Sequence, residues 1–215
     1  MRNFDGIIFD VDGTLAATHD LIFESFNHVA EKFLNKRLSN EEILALFGPT
    51  EDVILKDWMK DSYESARSEY YDFYESKHDE MAAVFPGLKE IIEYVKSKNI
   101  PLGVFTGKGR DSSIITLKAI DLIDYFDLII TGDDVIEHKP SPEGINKFVN
   151  EFGLKHERVL MVGDASVDVD AAKGSGVKSA LVLWDDLSRE RFSHIQADYV
   201  FKTVAEFQKF IKGNF

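Results

Sequence analysis

Short runs of apolar, β-branched and aromatic residues recur along the chain at Phe4–Asp10, Pro101–Thr106, Leu128–Thr131, Val159–Gly163, Lys178–Leu183 and Tyr199–Phe201. Most of them end in a cluster of Gly, Asp or Thr, as buried strands do where the chain turns. Between them lie segments with helical periodicity, roughly Leu88–Lys98, Ser112–Leu122, Pro142–Phe152, Val167–Gly174 and Val204–Ile211. Strands apolar on both faces, alternating with amphipathic helices, predict an α/β fold whose parallel sheet is covered on both sides. Ser141 before Pro142 and Glu143 predicts a helix N-cap followed by proline at the first helical position.

The stretch from Thr18 to Val84 breaks this alternation. Ile22, Phe26, Val29, Ala30 and Phe33 fall at helical spacing, and a run rich in Trp, Tyr, Glu and Lys follows. An all-helical insertion after the first strand is therefore expected, with Pro86-Gly87 marking the return to the sheet. The division this predicts is an α/β core over 1–17 and 85–215 and a helical domain over 18–84. Tyr70, Tyr71, Phe73 and Tyr74 read as packing within that insertion.

Composition removes several classes of partner. A chain of 215 residues and 24.4 kDa can bury one ordinary core with a modest insertion. Its formal charge of -13, pI near 4.9 and scattered basic residues disfavour nucleic acid and anionic membranes. A phosphate ester stays admissible, because a bound cation and one well-placed Lys can invert the local field. Cysteine is absent, which removes disulfides, a thiolate nucleophile and cysteine metal sites. Asp5 and Asp10 interrupt the first apolar run where a secretory segment would need continuity, and no stretch approaches membrane-spanning length. A cytoplasmic protein is expected.

Candidate chemistry lies at the strand ends. In Asp10-Val11-Asp12-Gly13-Thr14-Leu15 two carboxylates share one face of a strand's C-terminal edge, an arrangement that a hard, oxygen-seeking cation such as Mg²⁺ relieves. The second strand of the alternating series ends in Thr106-Gly107-Lys108-Gly109-Arg110, a hydroxyl followed by a glycine whose N–H can approach phosphate closely. Lys108 and Arg110 read as solvated loop charges. Lys139-Pro140 follows the Thr131-Gly132-Asp133-Asp134 strand end and could neutralise a phosphate. Gly163-Asp164-Ala165-Ser166-Val167-Asp168 repeats the first pattern, with Asp164 completing a metal site. Asp168 either supports that site or is a helix-start acid favoured by the dipole. All these groups fall where open α/β sheets bind ligands. The six His show no zinc spacing, and no nucleophile elbow, Walker loop or GxGxxG turn is present.

Taken in order, DVDGTL, the Thr106-Gly107 strand end, Lys139-Pro140 and GDASVD resemble the four motifs of the haloacid dehalogenase superfamily. The insertion is similar to the helical cap of its phosphoglycolate phosphatase, pyrophosphatase and β-phosphoglucomutase branch. The resemblance implies a Rossmann-like core of strand order 5-4-1-2-3. It also implies a nucleophile at Asp10 and a general acid and base at Asp12. Phosphate would bind Thr106, Gly107 and Lys139. Mg²⁺ would be held by Asp10, the Asp12 backbone carbonyl and Asp164, with Asp168 supporting. The segment Phe47-Gly48-Pro49-Thr50-Glu51-Asp52 resembles the branch's specificity loop, whereas the cap arginine pattern of sugar phosphomutases is not seen. Thr106-Gly107-Lys108 departs from the Thr-Asn or Thr-Ser usual there. The implied activity is Mg²⁺-dependent hydrolysis of a small phosphorylated metabolite, phosphoglycolate phosphatase-like, with pyrophosphatase or phosphomutase as the alternative, by a monomer or homodimer. A receiver-type signalling module fits less well, since its phosphorylated Asp sits on a later strand. A binding protein that lost the chemistry is opposed by the presence of every motif residue.

Overall fold

The computed structural model describes residues 2–215; Met1, the first residue of the expected core segment 1–17, lies outside the described residues. The strands are β1 (Gly6–Phe9), β2 (Ala16–Ala17), β3 (Ala83–Val84), β4 (Leu102–Phe105), β5 (Leu128–Ile130), β6 (Val159–Gly163), β7 (Lys178–Val182) and β8 (Tyr199–Phe201). Six form one sheet in the order β5-β4-β1-β6-β7-β8, every neighbouring pair parallel. Numbering the six apolar runs along the chain, this reads 6-5-4-1-2-3. The implied order 5-4-1-2-3 thus runs through five strands, and the difference is the sixth, β8, which pairs along Ala180–Val182 of β7. The remaining pair, β2 and β3, forms a short antiparallel ribbon where the chain leaves and re-enters the core.

The helices are α1 (His19–Leu34), α2 (Asn40–Leu44), α3 (Glu51–Met59), α4 (Tyr63–Met81), α5 (Leu88–Ser97), α6 (Arg110–Ala119), α7 (Glu143–Glu151), α8 (Ser166–Ser175), α9 (Asp186–Phe192) and α10 (Val204–Asn214). Alternation along β1 decides the layers. Ile7 and Phe9 join one core cluster with Ile92 of α5, Leu117 of α6 and Phe207 of α10, whereas Ile8 joins another with Phe148 of α7 and Ala172 of α8. Helices α1 to α4 enclose a cluster of their own in which Phe26 and Tyr70 meet at 5.0 Å and Tyr74 is fully buried. No described helix is long and apolar enough to cross a membrane.

Two local expectations shift. Helix α7 starts at Glu143 with Pro142 as its N-cap, and Ser141 Oγ accepts the Glu143 N–H from one residue further out. Helix α9 was not expected, because seven residues carry little periodicity; it is set by the Asp185 carboxylate accepting the Leu187 and Ser188 N–H groups.

Candidate active site

Register brings the polar strand ends together. Phe9 of β1 stands opposite Val104 of β4 and Val162 of β6, so Asp10, Thr106 and Asp164 emerge from adjacent strands on one edge. The Asp10 N–H still donates to Val162 O at 2.9 Å, which fixes the residue's direction. Beyond it the chain folds back, with the Leu15 and Ala16 N–H groups both donating to Val11 O. Gly13 makes this turn possible. Its φ is 71°, and a Cβ there would run into the Asp164 carboxylate.

The carboxylates of Asp10, Asp164 and Asp168 are buried, and each offers an oxygen within 4.8 Å of the others. Lys139 Nζ lies 2.8 Å from Asp10 Oδ1 and 2.6 Å from Asp168 Oδ1. Burial opposes a charged Lys139, but the attraction of Asp10 and Asp168 outweighs it and raises the ammonium's pKa. Asp164 is pushed well above the carboxylate range by burial and by the charges of Asp10 and Asp168. Burial likewise pushes Asp168 up to about 6, against the opposing pull of Lys139. Excess negative charge gathered on hard oxygen donors is what Mg²⁺ accepts, so the residues present fit that ion.

Asp12 lies outside this trio. Its Oδ1 accepts from Thr18 Oγ1 at 2.5 Å. Thr106 is buried and its N–H donates to Ile130 O, while a Cβ on Gly107 would meet nothing within 4 Å, so a ligand has room to approach that backbone. Asp10, Asp12, Thr106, Gly107, Lys139, Asp164 and Asp168 all line one cavity of about 290 Å³. Its far wall comes from the helical insertion, through Ile22, Phe26, Phe47 and Ile54, and from α9.

Several contributors escape a reading of the sequence. Lys108, expected in solvent, is buried: its Nζ sits 3.4 Å from Asp12 Oδ1 and 3.5 Å from Glu51 Oε1. Burial disfavours the charge on Lys108, but Asp12, Tyr74 and Glu51 surround it and raise its pKa. Arg110 does stay exposed, paired with Asp134. Ser188 of α9 donates to Asp164 Oδ2, and Trp184 Nε1 donates to Thr14 O, so the segment after β7 braces both acidic loops. His19 faces Asp185 at 3.4 Å; burial opposes its charge, yet Asp185, Asp164 and Asp12 raise its pKa. For Lys108 and His19 the only sequence signal was nearness to a motif, and for Trp184 and Ser188 there was none.

The chain is similar to known proteins. Residues 7–182 match the haloacid dehalogenase-like hydrolase family. The pyrophosphatase PpaX of Anoxybacillus flavithermus is 32% identical over 212 residues, covering 95% of each chain. CbbY from Rhodobacter sphaeroides, solved in complex with phosphate, superposes with a TM-score of 0.82 at 25% identity, over 95% of this chain and 96% of that one. A predicted phosphoglycolate phosphatase from Haemophilus somnus shares the fold at a TM-score of 0.81 and 23% identity, over 98% and 99% of the two chains. A family match that takes in every strand end lining the cavity places this chain in the haloacid dehalogenase-like hydrolase family.

Proposed function

We propose that the protein is a Mg²⁺-dependent phosphatase of the phosphoglycolate phosphatase kind, hydrolysing a small phosphate monoester through an aspartyl-phosphate on Asp10. The observation that supports this best is Lys139 Nζ bridging Asp10 and Asp168 within a buried trio of carboxylates that lines one small cavity. In this reading residues 18–84 act as a cap over a core of 1–17 and 85–215.

Lys139 holds Asp10 Oδ1, so the other oxygen is free to attack phosphorus in line. As the P–O bond to the leaving group breaks, Asp12 gives its proton to the departing oxygen. The Thr106 hydroxyl and the Gly107 N–H hold phosphoryl oxygens, and Lys139 balances their charge. Water then attacks the phosphorus of the acyl phosphate while Asp12 takes its proton, and the bond to Asp10 breaks to release phosphate. Asp10, the Asp12 carbonyl and Asp164, with Asp168 in support, would hold Mg²⁺, which would supply charge stabilisation of the transferring group.

A second reading is pyrophosphate hydrolysis, favoured by the 32% identity to a protein named pyrophosphatase PpaX. Phosphate release with Mg²⁺ from 2-phosphoglycolate, pyrophosphate, sugar phosphates and nucleotides, with Asp10→Asn as the blank, separates the two. Preference for 2-phosphoglycolate is expected, with no turnover by the variant. Preference for pyrophosphate would move the assignment to the second reading, and release from none would remove both.

A further inference from the structure

We infer that Lys108 is a positioning residue for Asp12, and that Glu51 of the helical insertion locks Lys108 into that role when the insertion is seated on the core. This rests on the reading above that Asp12 handles the leaving-group proton. The Lys108 side chain is 3% exposed, and its ammonium lies between Asp12 Oδ1 at 3.4 Å and Glu51 Oε1 at 3.5 Å, 4.6 Å from the centre of the Tyr74 ring. Among the described residues its Nζ has no hydrogen-bond partner. A buried ammonium persists only where opposite charge surrounds it, so its position is dictated by these two carboxylates and the ring face.

Glu51 is held as firmly from the core side. Its Oε2 accepts the Gly109 N–H at 2.7 Å and its Oε1 accepts the Ser112 hydroxyl at 2.7 Å. A Cβ at Gly109 would lie 2.9 Å from Glu51 Oε2, so glycine there is what lets the carboxylate approach. Glu51 is the first residue of α3 and reaches the core only from the seated insertion. When it does, it supplies the second negative partner that fixes Lys108.

At Asp12 the consequence is asymmetric. Thr18 Oγ1 at 2.5 Å and Lys108 Nζ both address Oδ1, which leaves Oδ2 as the oxygen that can face the leaving group. During transfer the P–O electron pair passes to the leaving oxygen, and Oδ2 delivers its proton there. Without Lys108, the carboxyl can turn about its bond and present the wrong oxygen. The loss falls on leaving groups that need the proton and spares those that do not.

The test compares kcat/KM for p-nitrophenyl phosphate, whose phenolate departs unprotonated, with that for an alkyl phosphate, whichever of 2-phosphoglycolate and glycerol 3-phosphate the wild type turns over faster. Lys108→Met is expected to lose about 30-fold or more on the alkyl ester and under about 3-fold on the aryl ester, within the range that general acid catalysis supplies. Lys108→Arg should recover part of the alkyl rate. Glu51→Gln should show the same leaving-group bias at smaller size, and the double variant should be no worse than Lys108→Met, since the two act as one unit. Equal losses on both esters, or none, would overturn the inference and leave the phosphatase reading standing. Should Lys108→Met fail to fold, the bias in Glu51→Gln decides alone. A wild type that hydrolyses neither ester would take both readings down.

Discussion

The sheet edge and the seam between the helical insertion and α6 are both buried and polar, yet they are built on different principles. At the edge, Asp10, Thr106 and Asp164 each follow a strand whose register is set by its neighbours, so backbone hydrogen bonds alone bring them together. At the seam, Arg67 pairs with Asp111, and Tyr74 and His78 reach Thr116 at 2.8 and 3.3 Å. These contacts are made by side chains alone, from one face of α4. Burial, followed by the charge of Lys108, holds the His78 ring below its ordinary pKa, so it meets Thr116 as a neutral ring. An edge of this kind survives loss of a side chain as a scaffold, whereas a seam of this kind is only as strong as its individual contacts.

The largest expected effect breaks the edge without touching an acid. Gly13→Ala forces a positive φ on a residue with a side chain and drives its Cβ into Asp164. Phosphate release should fall by about 100-fold or more, and circular dichroism should show the fold retained. Near-wild-type turnover would mean that Asp164 does not depend on that close approach.

Next in size is the effect of the metal and of pH. Asp168 is raised to about 6 and Asp164 well above the usual range, so in chelator the folded protein binds protons more tightly than the unfolded chain. Stability from Asp168 is therefore full below the unfolded carboxylate value of about 4 and is lost as pH rises through about 6, by roughly 1.4 kcal/mol per pH unit, and the loss from Asp164 runs in the same direction. Mg²⁺ at 100 times its Kd should restore about 2.7 kcal/mol, a rise of roughly 5–10 °C in Tm at pH 7.5. Asp164→Asn should raise the metal-free Tm at that pH and abolish the Mg²⁺ shift. Thermal unfolding from pH 4 to 8, with chelator or Mg²⁺, reads all of this, and a metal-free Tm that climbs with pH across that window would contradict it.

The smallest effects sharpen the description of the seam. Tyr74→Phe removes a buried hydrogen bond and should cost about 1 kcal/mol in urea unfolding. Arg67→Ala should cost less, under about 1 kcal/mol, because its guanidinium is one-third exposed. The reverse ranking would show that charge, not the buried hydroxyl pair, holds α4 on α6.

The alternation of apolar runs and helical periods made the α/β class legible, and DVDGTL and GDASVD marked the edge, because burial and turn chemistry are written into neighbouring residues. Lys108 was misread on the same grounds. In TGKGR nothing local distinguishes it from Arg110, yet one is buried between Asp12 and Glu51 and the other stays exposed. Helix α9 and its Ser188 contact to Asp164 were missed because seven residues hold too little periodicity to register. By itself, then, the sequence determined the six strands of the main sheet, most of the helices between them and which acids stand at strand ends. Only the tertiary structure decided which lysine is buried, which carboxylate it faces and how the insertion meets α6. Periodicity records whether a side chain faces a core, whereas a pairing such as Tyr74 with Thr116, 42 residues apart, depends on the angle at which two helices finally pack.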